Sequence, residues 1–128
     1  MAFIPHTLNE GGHPPFEYLP ASAGAVALGM ALDFTSGNLT KASGTTVPKY
    51  FSLVTKTCVA GEIIPVQKLE HGVDYETTAG AAIADTLIGA KVTIGSDGLS
   101  VTATTTDGIA QIVSVSGNAA GDKVVVRF

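Results

Sequence analysis

The sequence holds a single cysteine, Cys58, which excludes an internal disulfide and any cysteine-cluster zinc site. Charge is scarce as well: Asp, Glu, Lys and Arg make up 14% of the chain, well under the roughly 25% of an ordinary soluble domain. Seven scattered basic residues against eleven acidic ones, for a net charge of −4, give no cationic face able to neutralise phosphates, so a nucleic-acid partner is not expected. With no tryptophan and three tyrosines, the chain has few aromatic platforms on which a sugar could stack. Its longest charge-free apolar stretch runs between Glu17 and Asp33 and is broken by Pro20 and glycines. That is too short and too interrupted to suggest a membrane span. No basic segment precedes an apolar one at Met1, so no signal peptide is expected and the protein is read as acting where it is made.

What is present is an internal echo. Ala60-Gly61-Glu62-Ile63-Ile64-Pro65-Val66 returns as Ala120-Gly121-Asp122-Lys123-Val124-Val125-Val126, sixty residues on from Gly61 to Gly121. In each copy a small residue, a glycine and an acid form a turn, and alternating apolar residues follow, the pattern of a turn feeding a strand. The spacing holds upstream without a gap: Gly29 with Gly89, Leu32 with Val92, Phe34 with Ile94, Leu39 with Leu99, and Thr45-Thr46 with Thr105-Thr106. The chain therefore reads as mainly β, a small barrel or sandwich built from two related β units, residues 29–68 and 89–128, within one β domain over residues 21–128. A chain of 128 residues is long enough for an apolar core without metal or disulfide staples.

Residues 1–20 carry Pro5, Pro14, Pro15 and Pro20 and the pair Gly11-Gly12, a density that argues against a central strand and for an extended N-terminal arm. Its apolar residues are too many for a solvated tail. The arm either lies along a neighbouring subunit or partner or packs on its own domain, and Phe3, Ile4, Phe16 and Tyr18 are its candidate contacts. Strands are expected over residues 26–34, 49–57, 91–94, 99–105 and 109–116, and Pro65 points to an edge or a bulge. The alanine-rich stretch 78–87 predicts one short helix, capped at Thr77 or Thr78 and ended by Gly89. Alternation over residues 49–57 sends Tyr50 and Phe51 to opposite faces, so both cannot meet one core, and one of them is a candidate for an oligomer interface.

Chemistry-bearing motifs are sparse. His6, His13 and His71 show no metal-binding spacing, and no phosphate loop, dinucleotide fingerprint or nucleophile elbow occurs. Cys58 precedes a turn with no basic partner nearby in sequence and is read as a packed small residue. Asn38-Leu39-Thr40 fits a glycosylation acceptor pattern but is read as a turn. No catalytic residue, cofactor or metal is expected.

Taken with the β units, residues 60–66, Gly72-Val73, the alanine-rich 79–84 before Gly89, and residues 121–126 resemble the small decoration, or cement, proteins of tailed-phage heads. The likeness covers residues 21–128; the proline-rich arm and the aromatic stretch 49–57 depart from the simplest members. The resemblance implies a non-enzymatic protein made in the host cytoplasm and added to the outer surface of an assembled capsid. There it would contact the major capsid protein, commonly as a homotrimer, and clamp the lattice. Two other classes fit the residues less well: a structural subunit of a tail, fibre or surface layer, which would form open chains, and a small carbohydrate-binding module.

Overall fold

The computed structural model describes residues 3–8 and 16–128, with residues 4–8 and 16 described by backbone alone. Glycine-bearing turns cut these residues into short strands: β1 (Ile4–Leu8), β2 (Phe16–Pro20), β3 (Gly24–Val26), β4 (Ala31–Thr35), β5 (Asn38–Lys41), β6 (Tyr50–Ser52), β7 (Lys56–Cys58) and β8 (Ile63–Lys68). After them come β9 (Val73–Ala79), one 3-10 turn at Asp85–Leu87, β10 (Lys91–Val92), β11 (Ser100–Val101), β12 (Ala110–Val115) and β13 (Lys123–Arg127). The protein is mainly β, as the alternating patterns predict.

The strands close into two small barrels. One sheet runs β2-β8-β6-β4-β5, and a parallel bridge from Ala21 to Leu39 brings its ends together. The other runs β9-β13-β12-β10; an Ile94–Val101 bridge carries it to β11, which returns in parallel to β9. The free half of β9 takes β1 as an added edge strand. A third, two-stranded sheet joins β3 to β7.

Much of the second circuit repeats the first pair for pair, although its β11 leg is shifted by two residues, Phe34↔Leu39 becoming Ile94↔Val101. Ala31 and Leu32 pair with Phe51 and Tyr50, and sixty residues later Lys91 and Val92 pair with Gln111 and Ala110. Phe51↔Gln67 and Ser52↔Val66 return as Gln111↔Arg127 and Ile112↔Val126. The amide of Gly29 donates to Ser52 O at 2.6 Å and that of Gly89 to Ile112 O at 2.8 Å. In the first strand of each barrel the spacing is fifty-eight, Ala21 to Ala79: Tyr18↔Pro65 and Pro20↔Ile63 return as Glu76↔Val125 and Thr78↔Lys123. The two-residue difference falls in the connections that follow, 22–28 and 80–88.

The acidic turns hold each circuit together. Gly61 and Gly121 sit at φ 81 and 92, a left-handed conformation that glycine alone adopts without penalty. Glu62 Oε1 accepts from the Val59 amide at 3.1 Å, and Asp122 Oδ2 accepts from the Ala119 amide at 3.0 Å. Each turn then hooks back on its first strand, Gly61 N donating to Ala21 O at 2.8 Å and Gly121 N to Ala79 O at 2.7 Å. The echoed motif is thus a latch between the first and last strands of each barrel.

Alternation fills each barrel. Leu32, Leu39, Ile64 and Val66 are buried in the first, with Ala21, Met30 and Cys58. Val73, Tyr75, Val92, Ile94, Val101, Ile112, Val124 and Val126 are buried in the second. Each such aliphatic side chain contributes about 1.5–3 kcal/mol. The second cluster also takes Phe3, Ala31, Ala42 and Phe51, so the outer face of β4 and β6 packs on the second barrel. Phe51 meets Tyr75 with ring centroids 4.8 Å apart, Phe3 at 5.3 Å and Phe128 at 6.0 Å.

Several local expectations are corrected. No α-helix forms over 78–87: Thr78 and Ala79 end β9 because Thr77 Oγ1 donates to Leu99 O and Gly80 N to Val101 O, both binding the strand to the β11 hairpin. Only three residues of 3-10 helix remain. The strand expected over 49–57 is two strands, since Ser52 Oγ donates to Val54 O and accepts from Val54 N, turning the chain between β6 and β7. The one expected over 26–34 is broken by a turn in which Met30 N donates to Ala27 O at 2.9 Å. Pro65 lies inside its sheet, between β2 and β6. Its carbonyl accepts from Leu53 N at 3.1 Å just past the end of β6, so the missing proline donor falls where pairing on that side stops.

Tyr75 links packing to pH. Burial raises its phenol above the usual 10.0, opposed in part by a hydrogen bond from the Glu70 amide. Above pH 10.0 the unfolded chain has lost a proton that folded Tyr75 keeps, so this contribution is complete below that pH and declines as pH rises past it. Urea titrations of Tyr75→Phe are expected to show a shallower loss of stability from about pH 9 to about pH 11. At neutral pH the variant should lose about 1 kcal/mol with the Glu70 hydrogen bond. An unchanged alkaline slope would discount the tyrosine.

Candidate interaction surface

The aromatic residues singled out from sequence separate into core and surface. Phe3 and Phe51 are buried in the second cluster, so neither is offered to a partner in this fold. The reason is that β6 has a core on both sides: Phe51 faces the second barrel, and Tyr50 faces the first. Tyr50 is half-buried and packs edge-on against Phe34 at 6.4 Å. Its phenol is held above the usual value by burial first and then by the Glu17 carboxylate. The side chains of Ile4 and Phe16 lie outside the described residues; their backbones pair with β9 and β8. Ile4–Leu8 and Phe16–Pro20 thus lie in the chain's own sheets, and residues 9–15 of the expected arm lie outside the described residues.

Tyr18 is 65% exposed and belongs to a set that sequence alone did not assemble. It stands opposite Pro65, and Pro20 stands opposite Ile63, which is 58% exposed. Directly opposed residues share a face, and Leu53, tied by its amide to Pro65 O, continues that face on the β6 side. Tyr18, Pro20, Leu53, Ile63 and Pro65 form one uncharged outer face, while the alternating Leu19, Ile64 and Val66 point into the first barrel. The signal available in sequence was Ile63 and Pro65 after an acidic turn; what was missing was that β2 lies beside them.

A second apolar feature is a groove of about 350 Å³ at the start of β6 and the end of β8, lined by Val47, Pro48, Lys49, Tyr50, Lys68, Leu69 and His71. Its charged rim is partly engaged: Lys49 Nζ lies 3.4 Å from Asp33 Oδ1, and His71 Nδ1 is 3.0 Å from Phe128 O. Cys58 is buried and free. Among the described residues no three His, Cys, Asp or Glu side chains converge as a metal set would, and no helix is long and apolar enough to cross a membrane.

No protein-family model, curated protein or solved structure matches this chain. The surface described above is therefore read from its own chemistry.

Proposed function

We propose that this chain is a decoration protein of a tailed-phage head. It binds the outside of the assembled capsid through the major capsid protein and stabilises the lattice as a closed oligomer, a trimer by the family resemblance. The observation that carries the reading is the uncharged apolar face of the first barrel, on which Tyr18, Leu53 and Ile63 are exposed and Pro20 and Pro65 half-buried. Single exposed apolar residues are ordinary, whereas adjoining ones mark contact surfaces. The scarcity of charge elsewhere suits a chain covered by neighbours. Many such contacts, each weak, hold firmly once several are made by one assembly. On this reading the protein carries out no reaction.

The test is co-sedimentation with capsid shells that lack a decoration layer. The protein is expected to pellet with the shells and to raise the temperature at which they rupture. A protein that stays in the supernatant at saturating shell concentration would sink the proposal.

A further inference from the structure

An aspartate followed by glycine is a reactive pair, because glycine carries no side chain to keep its own amide nitrogen from the neighbouring carboxyl. The sequence has two such pairs, Asp97-Gly98 and Asp107-Gly108, and no Asn-Gly. The fold treats them differently. Asp97 Oδ1 accepts from Leu99 N at 2.9 Å and from Ser100 Oγ at 3.2 Å, while Gly98 is buried and its amide donates to Gly95 O at 3.0 Å. Asp107 is exposed, and its carboxylate takes no hydrogen bond or ion pair among the described residues. The Gly108 amide holds only a longer bond, 3.3 Å to Thr105 O.

We infer that Asp107-Gly108 is a site of spontaneous backbone modification, at which the folded protein converts aspartate to isoaspartate while Asp97 is protected. The Gly108 amide nitrogen attacks Cγ of the protonated Asp107 carboxyl: a C–N bond forms, the Cγ–OH bond breaks, and the amide proton leaves with that hydroxyl as water. Water then adds back to the cyclic imide. Opening at Cγ restores aspartate, whereas opening at the main-chain carbonyl leaves the chain running through the former side chain, one methylene longer and unchanged in mass. Water is the only co-reactant. The moving group is the Asp107 side chain, which nothing holds. Asp107 also keeps φ at 53, a region that L residues rarely occupy, and the added single bond of the isoaspartyl link lifts that restriction. In the first barrel Val47-Pro48 hold the equivalent places, with neither a carboxyl nor an amide proton, so the reaction falls on the second barrel alone. There the lengthened link enters beside Gly108, which is wedged against the backbone of Lys91.

The test incubates the full native chain for several weeks at physiological temperature, beside a sample unfolded in guanidinium chloride. The buffer is held at about pH 6, two units above the ordinary aspartate pKa of about 3.9 and clear of the chain's pI near 5.1. Isoaspartate is counted by labelling with an isoaspartyl methyltransferase and located with a protease that cuts before aspartate but not before isoaspartate. In the native chain it should accumulate at Asp107 at least about tenfold faster than at Asp97, which reacts only in the fraction of molecules whose two hydrogen bonds have opened. In guanidinium, where neither pair is held, the two rates should converge. Asp107→Ser should remove the native-state label, and Asp107→Asn should increase it, reaching the same imide by loss of ammonia.

Native Asp97 converting as fast as Asp107 would overturn the inference. So would a native chain left unmodified at Asp107 while the unfolded sample converts there, or a folded Asp107→Ser protein labelled as strongly as the wild type. The inference requires neither capsid nor oligomer, and the outcome of the shell experiment leaves it untouched.

Discussion

Replacing Gly108 by alanine is expected to be strongly destabilising. A Cβ at this position would lie 2.1 Å from Lys91 O, 2.3 Å from Lys91 C and 2.7 Å from Val92 N. All three are backbone atoms of β10, so no rotamer change can relieve the overlap. Relief would require β10 to move off β12, where Ile109 N donates to Val92 O at 3.0 Å and Lys91 pairs with Gln111. That movement opens the circuit of the second barrel and exposes Val92, Ile112 and their neighbours. A loss of about 4 kcal/mol or more is expected, the range reserved for backbone collisions and core disruption. The melting temperature followed by circular dichroism should fall by more than about 10 °C. Sixty residues earlier Pro48 holds the equivalent place, so the first barrel accommodates a Cβ there. Pro48→Ala should therefore be mild, and a Gly108→Ala protein melting within a few degrees of wild type would contradict the geometry.

Phe51→Ala should cost about 3–5 kcal/mol, as for other buried phenylalanines. Its effect should also differ in kind. The ring joins Phe3, Tyr75 and Phe128 while its backbone belongs to the first barrel, so it carries contact between the two cores. Truncation leaves each barrel its own interior and weakens what couples them. Urea unfolding followed by tyrosine fluorescence and by far-UV circular dichroism should coincide in the wild type and separate in the variant. A single coincident transition, shifted by less than about 1 kcal/mol, would mean that the cores are not coupled through this residue.

How much of this was readable beforehand depended on which residues the duplication left alone. The sixty-residue echo survives where geometry demands it. Gly29, Gly61, Gly89 and Gly121 need positive φ, Glu62 and Asp122 hold turns, and Leu32, Ile64, Val92 and Val124 fill interiors. Those positions announced two β units. The first strand of each unit was invisible for two reasons. Its spacing is fifty-eight, and its outward residues have diverged to Tyr18 and Pro20 in one copy and Glu76 and Thr78 in the other. With β2 unseen, residues 16–20 read as part of an arm, and the apolar face had no second strand to complete it. Alanine content alone predicts the helix over 78–87, a local preference overridden once Thr77 and Gly80 bond to the β11 hairpin. Alternation sends Tyr50 and Phe51 to opposite faces and so marks one of them for an interface; β6 instead lies between two cores.

The repeated registers also bear on how the chain finds its partners as it folds. Because β8 pairs with β2 in the register in which β13 pairs with β9, β13 could align on β2 in that same register. Lys123 would then stand opposite Pro20 and Val125 opposite Tyr18, separating Lys123 from Glu76 and Arg127 from Asp74. Exposed ion pairs are worth up to about 1 kcal/mol each, so side-chain identity discriminates only weakly against this strand exchange. Loop closure adds little, rising by about 0.6 kcal/mol per doubling of length. The two latches are alike, each joining a glycine amide to an alanine carbonyl, so they would close on either first strand, and sorting is left to the small side-chain differences between the two outer faces.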